Sequence, residues 1–153
     1  MTTAAPPSSF LHLVVGYDGS PPASRALDAA VRLLQGRTGR IEVVYVAHLS
    51  SVIMLSPDAI AEMESDFDDI EQELRAQAAE QLSGSGVAWG LLRRQGVIAE
   101  ELIAAATGLQ EAGGAGAVVA IVVGSSSHAT HRVVGSVAVS LARHSPVPVI
   151  IVP

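Results

Sequence analysis

Short apolar runs rich in β-branched residues alternate along the chain with longer stretches whose apolar positions recur every three or four residues. This is the pattern of strands alternating with amphipathic helices. Leu11 to Tyr17 reads as a first strand. Ser20 then stands as an N-cap with Pro21 in the first helical position, and Ala23, Ala26, Leu27, Ala30, Val31 and Leu34 share one face of a helix that stops near Gly36. Ile41 to Ala47 is a second strand, and Pro57 to about Leu82 is a long helix closed by Ser83-Gly84-Ser85-Gly86. Val87 to Arg93 is a third strand. Val97 to Ala112 is a helix with Ile98, Leu102, Ala105 and Leu109 at helical spacing. Ala117 to Val123 is an unbroken apolar run of the kind buried on both faces of a parallel sheet. A helix over Ser136 to His144 and a last strand over Val147 to Val152 complete the series.

Five strands separated by helices predict an α/β fold: a five-stranded, parallel, doubly wound, Rossmann-like sheet with helices on both faces. Such sheets bind ligands beyond the carboxyl ends of strands where the winding reverses, which places a site near Asp18 and Gly124. Residues 1–10 read as a disordered tail, since Met1 to Ser9 has small residues, two prolines and no charge, and residues 11–153 read as one domain.

Composition narrows the chemistry. The 153 residues are 49% hydrophobic and 16% charged, enough for one core, and no run approaches the roughly 20 apolar residues that cross a bilayer. The expectation is a soluble, cytoplasmic protein without membrane contact. With no cysteine, thiol nucleophiles, disulfides and thiolate metal sites are excluded. Lysine is absent as well, so a phosphate site must use backbone N–H groups, hydroxyls and arginine rather than a Walker-type lysine. The net charge of −6 is concentrated, because nine of the fifteen acids lie between Asp58 and Glu80 with Arg75 the one base among them. That block reads as the solvated face of the long helix, and the overall acidity argues against nucleic-acid binding. Arg93 and Arg94 read as solvated, and Trp89 as packing.

Two turns carry candidate chemistry. The stretch from Gly124 to Ser136 leaves a central strand and enters a helix, with Ser125, Ser126, Ser127, Thr130 and Arg132 between the glycines Gly124 and Gly135. Glycine admits close backbone approach, and a helix N-terminus offers unpaired N–H groups to an anion. A polar surface loop with a Gly-Ser helix entry is the alternative reading. The first turn, Gly16-Tyr17-Asp18-Gly19-Ser20, faces the same crevice; Asp18 suits ribose hydroxyls or serves only to organise its turn. His128 and His131, beside Arg132, read as phosphate contacts or as plain surface residues; without a nearby carboxylate they assign no metal site.

These pieces, in order, resemble the universal stress protein family: Val14-Val15-Gly16-Tyr17-Asp18-Gly19-Ser20, the Gly96 turn before Ala99-Glu100, Ile121-Val122-Val123-Gly124-Ser125, and Gly135-Ser136-Val137 through Pro146 to Ile151. The resemblance spans Leu11 to Val152 and implies an adenine nucleotide alpha hydrolase-like fold and a stress-response role with little or no catalysis. It implies homodimers through the last strand, here Val147, Val149 and Ile151, and, in one branch, ATP binding. In that branch a residue matching Asp18 meets the ribose or adenine, one matching Val46 gives backbone contacts to adenine, and those matching Gly124, Gly135 and Ser136 surround the phosphates. The nucleotide-site expectation is Gly16, Tyr17, Asp18, Val46, Val123, Gly124, Ser125, Ser126, Ser127, His128, Arg132, Gly135, Ser136 and Val137, taking ATP with Mg, or AMP or ADP.

The family's ATP-binding loop has a glycine, two residues, a second glycine, nine residues, then Gly-Ser or Gly-Thr. Here Ser127 or Ser125 stands where the second glycine falls, and Gly124 and Gly135 are eleven positions apart, two short of that pattern. A shorter cradle suits AMP, ADP or another phosphate ligand beside ATP. The other reading of the same fold is a dimeric interaction protein without nucleotide. A third, an adenylating ligase, lacks a second domain to supply substrate machinery.

Overall fold

In the computed structural model, residues 9–48, 56–125 and 135–153 are described. The strands are β1 (Phe10–Gly16), β2 (Gly39–Ala47), β3 (Ala88–Gln95), β4 (Ala117–Gly124) and β5 (Val149–Val152). The helices are α1 (Pro21–Leu34), α2 (Pro57–Leu82), α3 (Ile98–Gly113) and α4 (Ser136–His144), with one 3₁₀ turn at Gly114–Gly116. All strand pairings are parallel, in the order β3-β2-β1-β4-β5. The winding therefore reverses between β1 and β4, and β3 and β5 are the two edges.

Alternation of side chains along each strand divides the core between the two faces of the sheet. On one face Leu13, Val15, Ile41, Val43, Ala120 and Val122 pack with Ala26, Leu27 and Ala30 of α1 and Leu74, Ala78 and Leu82 of α2. On the other, Val14, Val44, Val119, Ile121 and Val123 pack with Leu102 and Ala106 of α3 and Ala138 and Leu141 of α4. The run from Val119 to Val123 is buried throughout, as its unbroken apolar sequence requires. Ser20 caps α1 by accepting the Ala23 N–H, and Ser56 caps α2 by accepting the Ala59 N–H, each with proline in the first turn. Trp89 is half-buried against the first core.

Several boundaries and surroundings differ from the sequence reading. Phe10 already belongs to β1, pairing beside Ala117. β3 runs two residues past Arg93 because Arg94 and Gln95 pair beside Val46 and Ala47. Val147 is not part of the last strand. It is buried in the second core, and β5 begins only after Pro148, which has no N–H to give a ladder. Arg93 and Arg94 are not merely solvated: Arg93 reaches Asp68 at 2.6 Å and Glu64 and Glu71 at 3.6 Å, and Arg94 reaches Glu101 at 2.6 Å. The acidic block is thus in part a fastening that holds α2 over the β3 edge.

Candidate functional site

β1 and β4 end side by side, and α1 and α4, which follow them in the chain, lie on opposite faces of the sheet. Beyond the two strand ends, between the starts of α1 and α4, lies a cavity of about 240 Å³. Gly16, Tyr17, Asp18 and Ser20 form the β1 side, with Pro22 and Ala23 behind them. Val44 and Val46 come from β2, and Ile98 and Leu102 from α3. Val123 and Gly124 end β4, and Gly135, Ser136, Val137 and Ala138 open α4.

Each wall has a local cause. Asp18 accepts the Ser20 N–H at 3.0 Å, an Asx turn that points the chain into α1 and leaves the carboxylate further acceptor capacity. Gly19 has φ +76°, and a Cβ there would lie 2.9 Å from Gln77 Oε1 and from Leu74 Cδ2, so glycine lets this turn pass under α2. Tyr17 is buried; desolvation first, then Asp18 and Asp28, push its hydroxyl above the usual tyrosine range. Gly124 is glycine for packing, since a Cβ would run into the Pro22 carbonyl of α1 and stand 2.7 Å from Pro22 Cβ. At Gly16 a Cβ would meet only side-chain methyls, Leu102 Cδ1 at 3.1 Å and Val123 Cγ1 at 3.3 Å. Across the cleft α4 opens at Gly135 and Ser136, which line the cavity, and among the described residues no side chain caps its first N–H groups.

Nine of the expected site residues therefore converge on one cleft: Gly16, Tyr17, Asp18, Val46, Val123, Gly124, Gly135, Ser136 and Val137. Ser125 does not line it. Its N–H donates to the Val152 carbonyl at 2.7 Å and its carbonyl accepts from Arg25 Nη2 at 3.4 Å, which ties the loop's first residue to β5 and α1. Ser126, Ser127, His128 and Arg132, with His131, lie outside the described residues. Among the described residues no group of three His, Asp or Glu side chains is placed to hold a metal ion, and no helix is long and apolar enough to cross a membrane.

Ser20, in the first turn expected to face the crevice, also lines the cavity, whereas sequence reasoning missed Pro22, Ala23, Val44, Ile98, Leu102 and Ala138 as lining residues. Ile98 and Leu102 read only as the apolar stripe of α3, yet that helix starts at the carboxyl end of β3. Helices that follow strands at that end of a doubly wound sheet can border the crevice, as α3 does and α2 does not, so topology gave a partial signal.

The universal stress protein family model matches residues 9–153. No protein of curated function matches the chain at a significant level. Among solved structures, the chain is similar to UspA of Lactobacillus plantarum, with 21% identity and TM-score 0.75, covering 95% of this chain and 99% of that one. It is similar to a universal stress protein solved in complex with cAMP, with 22% identity, TM-score 0.66, and coverage of 95% and 99%. It is also similar to a universal stress protein family member of Arabidopsis thaliana solved with AMP bound, with 14% identity, TM-score 0.62, and coverage of 93% and 90%. At these identities the likenesses establish the shared α/β architecture.

Proposed function

Since the chain belongs to the universal stress protein family, we propose that its cleft binds an adenine nucleotide and that partner proteins read the bound state, with little or no catalysis. The observation that carries this is the opposition of two chemistries across one apolar cavity: the Asp18 carboxylate on the β1 side and, on the other, the start of α4, uncapped among the described residues. Asp18 offers acceptors to ribose hydroxyls, and the N–H groups of Ser136 and Val137 with the Ser136 hydroxyl offer donors to phosphate. In this reading Val46, in the cavity wall, gives the backbone contacts to adenine that the family resemblance implies. Two structural neighbours solved with cAMP and AMP support the ligand class.

The reading takes AMP, ADP or ATP, with or without Mg, as the ligand. Among the described lining residues Asp18 is the one carboxylate, and Tyr17 stays protonated at neutral pH, so the reading is a binding site with at most slow hydrolysis. We extend the reading to a homodimer formed along β5, where Val149 to Val152 are half-exposed at a sheet edge. Calorimetric titration of AMP, ADP, ATP and cAMP tests the ligand; saturable heat with AMP or cAMP is expected. No heat up to millimolar ligand, together with no nucleotide released on denaturation, would leave the dimeric interaction protein as the reading. Light scattering tests the dimer, and a monomeric mass at micromolar concentration overturns it.

A further inference from the structure

The free border of β5 is shorter than the strand itself. The Ile121 N–H donates to the Pro148 carbonyl at 2.9 Å and the Ser125 N–H to the Val152 carbonyl at 2.7 Å, so Pro148 and Val152 turn their backbone groups towards β4. Along a strand these groups point to alternate sides, and the N–H and C=O of one residue go the same way. Ile150 therefore also faces β4, while Val149, Ile151 and Pro153 face away from it. β5 is an edge strand, and among the described residues no other strand pairs with that outer border.

Each end of this border is closed by a side chain. At the amino end Val147 is next in the alternation, but the Ser145 hydroxyl accepts its N–H at 3.2 Å and donates to its carbonyl at 2.7 Å. At the carboxyl end Pro153 has no N–H, and its carbonyl accepts from Arg25 Nε at 3.1 Å. The same guanidinium donates to the Ser125 carbonyl at 3.4 Å, which fixes it across the ends of β4 and β5. Val149 and Ile151 are left as the outward residues with both an N–H and a C=O to offer. Two such residues about one central residue make a border that is its own complement, so the occupant it fits is a second copy of this chain.

We propose that Ser145 and Arg25 are end stops that set the register of self-pairing, with Ile150 on the two-fold axis and Val149 of one copy opposite Ile151 of the other. The inference rests on the homodimer reading above. In an antiparallel pair, opposed residues of the hydrogen-bonded kind exchange both bonds, so this register pairs every free group of Val149 and Ile151. A register centred on Val149 sets Ile151 against Val147, whose groups Ser145 already holds. One centred on Ile151 sets Val149 against Pro153, which lacks the donor and has its acceptor engaged by Arg25. Either shift leaves half of the free groups unpaired, a penalty once the edge is covered.

The test is disulfide trapping in the full chain, which has no cysteine of its own, so an introduced one reports alone. In the proposed register the two Ile150 Cα atoms form a non-hydrogen-bonded pair about 4.5 Å apart, within the roughly 4.4–6.8 Å that a disulfide spans. Val149 with Val149, and Ile151 with Ile151, are diagonal neighbours at about 7–8 Å, beyond that reach. Under diamide, I150C should shift to doubled mass on a non-reducing gel while V149C and I151C alone do not. V149C mixed with I151C should give the covalent pair that neither gives alone, an arm that leaves Ile150 and its packing untouched. R25A releases the Pro153 carbonyl, and I151C should then cross-link with itself in that background. A monomeric mass in light scattering overturns the homodimer reading, and the register falls with it. A dimer trapped through V149C or I151C alone, a dimer trapped at none of these positions, or an R25A background that leaves I151C uncross-linked overturns the register while the dimer stands.

Discussion

Replacing Gly124 with alanine perturbs the seam between β4 and α1 with a single methyl group. The added carbon would run into the Pro22 carbonyl and sit 2.7 Å from Pro22 Cβ. Both are parts of a proline at the start of α1, with no side-chain torsion free to swing aside, so backbone must move. Overpacking of this kind costs about 1–3 kcal/mol, and the rigidity of the neighbour places this case near the top of that range. Alanine also stiffens the unfolded chain, an opposing effect of about 0.4–1 kcal/mol. A net loss of about 2 kcal/mol in a domain of this size lowers the melting temperature by about 4–8 °C. Gly16 provides the internal control, because its new Cβ would meet only Leu102 and Val123 methyls at 3.1 and 3.3 Å. Those side chains shift by tenths of an ångström, and G16A should melt close to wild type. Gly84 is a second control: its φ of +76° disfavours alanine by about 1 kcal/mol although nothing lies within 4 Å. Differential scanning calorimetry of the three variants gives the ranking. If G124A melted within about 1 °C of wild type, or no lower than G16A, the rigid-contact argument would be wrong.

Three further outcomes follow from the same structure. D18N keeps an acceptor for the Ser20 N–H while removing the charge, so AMP affinity in calorimetry should fall about tenfold, the low end for a charge-assisted hydrogen bond, with the melting temperature unchanged. R93Q removes the ion pairs to Asp68, Glu64 and Glu71, and hydrogen exchange should then speed up over residues 57–70 while Leu74 to Leu82 stay protected. Burial, then Arg40, hold the His12 imidazole below its ordinary pKa of 6.5, with Glu42 opposing. The unfolded chain therefore binds the proton more readily, stability falls as pH drops below about 6.5, and the loss is complete once pH is below the folded value. H12Q should flatten that part of a denaturant-stability profile between pH 7 and 5, and an unchanged slope would contradict it.

What the sequence made legible was what depends on near neighbours. The strand over Ala117 to Val123 and the Ser20-Pro21 cap needed only local pattern, and both stand in the structure, although Val118 is exposed and the burial on both faces holds only from Val119 to Val123. The convergence of Asp18 and Ser136 on one cleft followed from topology, given five strands and the reversal between β1 and β4. What stayed hidden was set by tertiary partners. The length of β3 depends on Ala47 being there to pair beside Gln95. Arg93 could not be distinguished from a solvated arginine without knowing that α2 returns over it. Val147 has the composition of a strand residue, but Pro148 breaks the ladder after it and leaves it to the core.

The two edges of the sheet are built differently, and the difference limits what the molecule can assemble into. β3 carries Arg93, Arg94 and Gln95, fastened by acids of α2 and α3, and charge of this kind discourages another strand from adding there. β5 is four apolar residues long. A sheet receptive along one border alone can accept one neighbour, and two such molecules facing each other about a two-fold axis use up both borders at once. In the proposed dimer, growth by strand addition then has nowhere to continue, so the asymmetry between β3 and β5 would make that pair an end point of sheet extension and not a step towards a fibre.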